Sequence, residues 1–265
     1  MDNISWGRVQ SALSQAARTQ GVSRKRLRDV VRRLPGLIEL CGPGSQTRKV
    51  AIRIGATLLQ GPPQLIVPSC PDYSHYRGRY TFKDVRGGVS LVTRKHILFM
   101  QAVAKIFPDM QVLALIADHE ADDPALCQVA GISRKEFYTR IRRSVVSTRR
   151  AFRSQELDWN VALMTDVVPN LVAREAELME MIRSEPRFQG HIESDTLERA
   201  AMYNRLRIRG REARRERTIR TAAQYMTLGQ FAVDNGRLIV NHSTTNLAWY
   251  LKTKAGFLHN PVRVY

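Results

Sequence analysis

Two short apolar runs on either side of a helical segment constrain the fold of this chain more than any other feature. Residues 64–68 (QLIVP) and 110–117 (MQVLALIA) are rich in aliphatic side chains and end in polar loops, which is typical of buried strands. Between them, residues 94–107 place apolar side chains at helical spacing. Strand, helix and strand in succession form the pattern of a parallel α/β unit. We therefore predict an α/β fold with a Rossmann-like parallel sheet flanked by helices.

Further helices are predicted ahead of this unit. Residues 5–20 and 23–34 show helical spacing, and residues 49–59 fit either a strand or a short helix. The first two helices also resemble a DNA-binding helix-turn-helix, although two short amphipathic helices more often only pack together. We divide the chain into a basic helical N-terminal segment, 1–45, and a Rossmann-like α/β domain, 46–265.

The second half of the chain is predicted to be largely helical. Ser133 precedes a basic helix that runs to about residue 153, and residues 160–183 form an amphipathic helix that Pro169 can interrupt. Residues 193–231 form one or two more helices. The run LIV at 238–240 then returns to a strand.

The net charge narrows the choice of partner. The 265 residues contain 42 Lys and Arg against 24 Asp and Glu, which gives a net charge of +18. Residues 1–35, 133–153 and 205–220 each hold eight cations against at most two acidic residues, so the excess is localised. Nearly all of these cations are arginines, whose planar donors fit phosphate bidentately. A nucleic acid is therefore the expected partner, and solvated helix faces are the alternative.

Composition excludes several classes of protein. With 43% hydrophobic and 25% charged residues, the balance is that of a globular protein. The longest strongly apolar stretch, 112–117, is far shorter than the roughly 20 residues that cross a bilayer. Asp2 and Arg8 stand where a secretory signal would be apolar. We expect a cytoplasmic protein without a membrane partner.

No metal or cofactor is predicted. Cys41, Cys70 and Cys127 are far apart in the sequence and form no CxxC pair, so reduced thiols are expected. The acidic segment 118–123 contains His119 but has no second histidine at ligand spacing. The sequence also lacks the GxGxxG and GxxxxGK[ST] patterns that bind dinucleotides and nucleoside triphosphates.

The polar loops after the predicted strands are the first candidate site. The carboxyl ends of parallel strands share one edge of a sheet, so we expect loops 69–73, 87–90 and 118–123 to converge there. Ser90 follows two glycines at the start of a helix, where free amides stabilise anions, but it also fits a simple N-cap. Asp118 ends the second predicted strand and would face the crevice.

Aromatic and amide side chains are dense near the C-terminus. Their density favours a pocket lining, although Trp249 and Tyr250 also fit as anchors of the last elements against the sheet. The group comprises Tyr225, Asn241, His242, Asn246, Trp249, Tyr250 and His259.

Taken in chain order, several of these motifs resemble the tRNA-dependent cyclodipeptide synthases. The matches span about residues 85–255 and comprise Gly88-Val89-Ser90, a helix, a strand ending at Asp118, a basic helix after Gly131, Ala222-Ala223-Gln224-Tyr225 and Trp249-Tyr250. The resemblance implies a fold similar to the catalytic domain of class I aminoacyl-tRNA synthetases. It also implies that one aminoacyl group passes from tRNA to Ser90 and is joined there to a second.

Two positions depart from the family's pattern. Gly229 stands where the family has a glutamate, and Thr93 stands where it has an asparagine. A general acid or base must then come from Asp118, His242 or a tyrosine, or the acceptor amine must arrive already deprotonated.

The candidate residues form three sets. The catalytic candidates are Ser90, Asp118, Tyr225, His242 and Tyr250. The substrate-binding candidates are Asp72, Tyr73, Gly88, Asn246 and Trp249. The RNA-binding candidates are Arg134, Lys135, Arg140, Arg143, Arg150, Arg207, Arg211 and Arg215.

The predicted function is that of a tRNA-dependent aminoacyl transferase, and two alternatives stay open. A basic RNA- or DNA-binding protein without catalysis explains the charge but gives the loop residues no role. An enzyme similar to the isocyanide synthases, which the tripeptide Pro71-Asp72-Tyr73 faintly resembles, explains the pocket residues but not the charge.

Overall fold

The computed structural model of the chain describes residues 4–42, 47–69, 73–76, 79–82, 91–118, 122–241 and 256–259. The helices are α1 (Trp6–Thr19), α2 (Arg24–Leu40), α3 (Arg48–Leu59), α4 (Leu91–Ile106), α5 (Pro124–Ala130), α6 (Arg134–Arg153), α7 (Met164–Val167), α8 (Leu171–Ser184), α9 (Pro186–Glu198), α10 (Ala200–Arg205) and α11 (Arg211–Asp234). The strands are β1 (Gln64–Ser69), β2 (Tyr73–Tyr76), β3 (Arg79–Phe82), β4 (Gln111–Ile116), β5 (Asn160–Leu163), β6 (Leu238–Asn241) and β7 (Gly256–His259).

A five-stranded sheet lies at the centre of the described residues. Its strands follow the order β5-β4-β1-β6-β7, and all neighbouring strands are parallel. The ladder between β1 and β4 runs from Gln64 opposite Gln111 to Ser69 opposite Ile116. β2 and β3 form a separate antiparallel pair. The predicted α/β fold with a parallel sheet flanked by helices is confirmed.

Alternate side chains of the central strands enter two different apolar clusters. In β1, Leu65 and Val67 join one cluster, whereas Ile66 joins the other. In β6, Leu238 and Ile239 divide in the same way. Because successive side chains of a strand point to opposite faces, the two clusters lie on opposite faces of the sheet. We call the side of Leu65 face A and the side of Ile66 face B.

Helices cover both faces. On face A, α3, α4 and α6 contribute Ile54, Phe99 and Ile141. On face B, α11 contributes Leu228 and Phe231. Right-handed crossovers explain this division, because the chain moves from β1 to β4 and β5 in one direction and reaches β6 on the other side of β1. A third apolar cluster joins α8, α9 and α11.

The N-terminal helices help to cover face A. Leu13 of α1 and Leu34 of α2 are buried in the same cluster as Leu65. Both approach Gly55 of α3 so closely that a β-carbon there would lie 2.8 Å from Leu13 and 3.0 Å from Leu34. A glycine at this position therefore lets the three helices pack. The domain boundary near residue 45 stays a prediction.

Short polar signals set the starts of several helices. Residues 49–59, which fitted a strand or a helix, lie in α3, where the Thr47 hydroxyl accepts the N–H of Val50 at 3.3 Å. Ser133 caps α6 in the same way by accepting the N–H of Glu136 at 3.2 Å. Side chains of this kind satisfy amides that the first turn of a helix leaves unpaired.

The prediction of one helix over residues 160–183 is wrong. Asn160–Leu163 forms the strand β5 beside β4, and the short helix α7 follows before α8 begins at Leu171. Pro169 lies between the two helices, where an interruption was predicted. The 4 residues of β5 are too few to distinguish the period of a strand from that of a helix.

Gly55→Val is expected to lower the free energy of unfolding by about 2–3 kcal/mol, because the branched side chain would overlap Leu13 and Leu34 in a filled core. Gly190→Val in α9 is the matched control. A β-carbon at Gly190 meets nothing within 4 Å, and Val and Gly differ by only about 0.3 kcal/mol in helix propensity. Urea unfolding measures both variants. Equal stability of the two would contradict the close approach of α1, α2 and α3.

Candidate strand-end site and nucleic-acid interface

The carboxyl ends of the strands form one edge of the sheet, which we call the strand-end edge. β1 and β6 are neighbours in the sheet, and the chain continues from them toward opposite sides, so a topological switch point lies between them. Ligands of open parallel sheets bind at this edge, beside the switch point. Ser69 and Asn241 are the last residues of these two strands. The candidate site therefore lies next to their ends.

Several predicted site residues lie outside the described residues. They are Asp72, Gly88, Ser90, His242, Asn246, Trp249 and Tyr250. In the sequence, residues 70–72 directly follow β1 and residues 242–255 directly follow β6, the two strands beside the switch point. Tyr73 is the first residue of β2, where its backbone pairs with that of Phe82. The roles of these residues stay predictions.

Asp118 lies just beyond β4, as predicted, and is only 1% exposed. Thr165 donates its backbone N–H to Oδ1 of Asp118 at 3.0 Å and its hydroxyl to Oδ2. Because Thr165 lies in α7, directly after β5, this contact joins the ends of two neighbouring strands. Both carboxylate oxygens of Asp118 thus have a structural partner. The predicted part of Asp118 in proton transfer stays a prediction.

An ion pair that is largely shielded from water ties the acidic loop to α11. Asp123 caps α5 by accepting the N–H of Ala125 at 2.9 Å, and its other oxygen pairs with Arg217. The two side chains are 6% and 16% exposed. Loss of either side chain would remove an opposite charge from the other in a poorly hydrated place, which is costly. Sequence analysis missed this pair, although an acidic residue before Pro124 is the usual start of a helix.

A second contact joins the same loop to α6. Asp122 pairs with Arg134 and accepts the hydroxyl of Tyr138 at 3.1 Å. The guanidinium of Arg134 lies 5.7 Å from the centre of the Tyr138 ring. Arg134 and Tyr138, together with Lys135 and Arg142, line a pocket of about 530 Å³. An aromatic ring among cations can stack a base while the cations bind its phosphate.

Glu175 of α8 is a buried carboxyl group that sequence analysis missed. It is 7% exposed and faces Arg220 and Gln224 of α11, with Asp122 of the acidic loop near it. Burial raises the pKa of Glu175 to about 7; Arg220 and a hydrogen bond with Gln224 oppose the increase, and Asp122 adds to it. A carboxyl group with this pKa exchanges a proton near neutral pH, as general acid–base catalysis requires. Its local sequence does not distinguish Glu175 from the exposed Glu177.

Tyr225, a predicted catalytic residue, is half-buried in α11. It borders the cluster on face B and the third cluster, between the sheet and α8. It directly follows Gln224, the partner of Glu175. Gly229, one helical turn later, is buried. The structure thus brings Tyr225 and Glu175 to the same part of the contact between α8 and α11.

One side of α6 presents cations to solvent. Phe137 and Ile141 pack this helix onto face A. The exposed cations on the opposite side of the helix form no ion pair with any acidic residue that the structure describes. They are Lys135, Arg142, Arg143, Arg149, Arg150 and Arg153, which we call the α6 cationic face. Lys135, Arg142 and Arg149 are seven residues apart, so they share one side of the helix. Lys135, Arg143 and Arg150, which were predicted to bind RNA, belong to this face.

The other predicted RNA ligands are partly engaged within the protein. Arg134 pairs with Asp122, as above, and Arg207 is exposed in a left-handed conformation with φ 56°. The remaining ion pairs join Arg140 to Glu136 at 2.8 Å, Arg211 to Glu193 at 3.1 Å and Arg215 to Glu212 at 3.6 Å. Exposed pairs of this kind stabilise a protein by only about 0–1 kcal/mol, so a phosphate can compete for these arginines.

The described part of the chain offers neither a metal cluster nor a membrane span. Within it, no group of three or more histidine, cysteine or acidic side chains is arranged to hold a metal ion. Among its helices, none combines the length and the apolar character that crossing a membrane needs.

Comparisons with known proteins give structural neighbours only. No protein-family model and no curated protein matches the chain. A cyclodipeptide synthase from Staphylococcus haemolyticus is 12% identical with a TM-score of 0.46, over 76% of this chain and 85% of that one. A cyclodipeptide synthase from Bacillus thermoamylovorans gives the same four values. The Leishmania major tyrosyl-tRNA synthetase in complex with tyrosinol is 12% identical with a TM-score of 0.43, over 93% of this chain and 42% of that one. These are the two kinds of protein named by the sequence resemblance.

Glu175→Gln is expected to change the pH dependence of stability. The folded protein keeps the Glu175 proton up to about pH 7, whereas the unfolded chain loses it near pH 4.5. The free energy of unfolding of the wild type therefore falls as the pH rises between these values, and glutamine removes this decrease. Relative to the wild type, the variant should gain about 3 kcal/mol between pH 4.5 and pH 8.

Urea unfolding at several pH values measures this difference. Glu177→Gln, on the exposed side of α8, controls for the loss of a surface carboxylate. A stability difference between Glu175→Gln and the wild type that does not vary with pH would contradict the elevated pKa of Glu175.

Proposed function

We propose that this protein binds aminoacyl-tRNA and transfers its aminoacyl group to Ser90, where it is joined to a second aminoacyl group as in the cyclodipeptide synthases. The observation that carries the proposal is the α6 cationic face, which begins beside the strand-end site. The motifs around Ser90, Asp118 and Tyr225 in the sequence support the chemistry.

The direction of α6 relates the cations to the strand-end edge. At its start, Arg134 pairs with Asp122 in the loop after β4. Near its end, Arg149 donates two hydrogen bonds to the carbonyl of Val161, close to the start of β5, at 2.7 and 3.2 Å. The helix thus runs from the strand-end edge to the opposite edge of the sheet, about 30 Å for 20 residues. An RNA backbone along this face would have one end at the candidate site.

The proposed first step is a transesterification. The Ser90 hydroxyl oxygen attacks the carbonyl carbon of the aminoacyl ester, and the bond from that carbon to the terminal ribose oxygen of the tRNA breaks. The proton lost by Ser90 goes to the departing ribose oxygen, directly or through a general acid–base group. The amine of a second aminoacyl group then attacks the ester on Ser90, forms the peptide bond and returns the serine hydroxyl.

Asp118 and His242 are the proposed groups for proton transfer, since Gly229 supplies no carboxylate. The bonds from Thr165 hold the carboxylate of Asp118 in one orientation at the strand-end edge. Tyr225 and Tyr250 are proposed to contact the aminoacyl group. Because Asp118 also joins β4 to β5, a loss of activity in Asp118→Asn has to be compared with its loss of stability.

A basic RNA-binding protein without catalysis is the second candidate function. The α6 cationic face favours it equally, because phosphate contacts require no chemistry. The two functions differ at Ser90, which only the first one uses. Both functions predict that RNA binds through α6.

Arg143→Ala/Arg150→Ala is expected to weaken tRNA binding and to reduce its dependence on salt. Each phosphate contact contributes about 0.7–0.9 to the slope of log Kd against log salt, so the loss of two contacts should lower the slope by about 1.4–1.8. Arg174→Ala/Arg187→Ala, which removes two cations of α8 and α9 on the other side of the sheet, is the matched control. Fluorescence anisotropy at several salt concentrations gives the slopes. Equal slopes for both variants would exclude α6 as the contact surface.

Ser90→Ala is expected to abolish a covalent adduct. After incubation of the wild type with total aminoacyl-tRNA, intact-mass spectrometry should show an added aminoacyl mass, because the ester on Ser90 is an intermediate. Ser74→Ala, which removes the hydroxyl of another serine in this part of the sequence, is the control and should keep the adduct. Peptide formation at the wild-type rate in Ser90→Ala would overturn the acyl transfer and leave the binding function.

A further inference from the structure

A second group of exposed cations lies on α2, which the proposed function does not use. Arg24, Arg28 and Arg32 are four residues apart and therefore lie along one side of the helix, with Lys25 beside them. All four are exposed. Among the described residues, Arg24, Lys25 and Arg28 have no acidic partner, and Arg32 pairs with Asp29 at 3.0 Å. We call these four cations the α2 stripe.

The α2 stripe is distinct from the arginines that hold the helix in place. Arg26 donates to the carbonyl of Leu58 at 2.7 and 3.0 Å and to that of Gly61. Arg33 donates to the carbonyl of Ile106 at 3.0 Å. These two arginines satisfy carbonyls left unpaired at the ends of α3 and α4. The stripe makes no such contact among the described residues, so the fold does not require its charge.

The same two arginines place α2 near the edge where the strands begin. Leu58 and Gly61 precede β1, and Ile106 precedes β4. The carbonyls that Arg26 and Arg33 bind therefore lie at the edge opposite the strand-end site. α6 reaches this edge at Arg149, and both helices pack on face A. Hence the α2 stripe and the far end of the α6 cationic face lie on the same side of the sheet and near the same edge.

We propose that the α2 stripe binds the phosphate backbone of the same tRNA, at a part of the molecule remote from its aminoacyl end. This inference rests on the proposed function, because it takes the direction of the RNA from α6. An A-form RNA helix that follows α6 for about 30 Å has passed roughly eleven base pairs before it reaches the level of α2. The aminoacyl end and its nearest base pairs then contact α6 alone, and the stripe meets a later part of the tRNA.

The test compares two RNAs and three double variants. The RNAs are full-length tRNA and a hairpin of about five base pairs that carries the tRNA 3′ end, too short to reach α2. The variants are Arg24→Ala/Arg28→Ala in the α2 stripe, Arg143→Ala/Arg150→Ala in α6, and the control Arg174→Ala/Arg187→Ala. Each removes two cations, so changes in net charge are matched.

The α2 variant is expected to bind full-length tRNA about tenfold more weakly, with a salt slope lower by about 1.4–1.8, and to bind the hairpin like the wild type. The α6 variant should bind both RNAs more weakly, and the control should bind both unchanged. Replacement of cations in the first turns of a helix by alanine does not lower helix stability, so the α2 variant should fold. Its thermal midpoint verifies this, and Arg24→Gln/Arg28→Gln should repeat the result.

Each other outcome overturns a defined part of the proposal. If the α2 variant binds tRNA like the wild type while the α6 variant does not, the inference is wrong and the proposed function stands. If the α2 variant binds full-length tRNA and the hairpin more weakly by the same factor, the stripe does not contact a remote part of the tRNA. If duplex DNA of equal length competes with tRNA for the wild type but not for the α2 variant, the stripe binds DNA instead. If the α6 variant and the control bind tRNA equally well, the proposed function fails first.

Discussion

A parallel sheet has to be covered on both faces, and the arrangement of this chain follows from that requirement. Leu65 and Ile66 of β1 are 1% and 0% exposed although they point to opposite faces. The crossover helices provide the two coverings, α4 and α6 on face A and α11 on face B. Because these helices run back along the sheet, the loops that join strands to helices meet at the strand-end edge. Asp118 and Asp122 occupy this edge for that reason.

Arginine has two separate roles in this structure. Arg26, Arg33 and Arg149 donate to main-chain carbonyls at the ends of helices or at an edge strand, and Arg217 pairs with the largely buried Asp123. A guanidinium suits these places because it offers several donors in one plane and stays charged. Apart from Arg149, the cations of the α2 stripe and the α6 cationic face donate to no main-chain carbonyl that the structure describes, and these are the cations proposed to bind phosphate. Net charge alone does not separate the two roles.

The sequence predicts the elements with long and regular patterns. The runs at 64–68 and 110–117 and the capped basic helix after Ser133 lie where they were expected. Short elements were missed, such as β5, because four residues carry too little periodicity. The position of Asp118 was predicted, whereas its bond to Thr165 joins residues 47 positions apart, which no local pattern reveals. Glu175 was not predicted for the same reason, because its pKa depends on Arg220 and Gln224, which lie in another helix.

The distribution of the acidic residues affects how strongly the protein can bind a polyanion. Three acidic residues pair with arginines that anchor loops or helices, namely Asp29, Asp122 and Asp123. The outer sides of α2 and α6, in contrast, carry almost no acidic residues. Like charges left together on a surface repel one another and lower the stability of the free protein. A bound polyanion removes this repulsion and releases its own counterions at the same time. Both contributions would favour the proposed complex, and, apart from Arg149 and Arg32, both come from cations that the described part of the fold does not use for its own contacts.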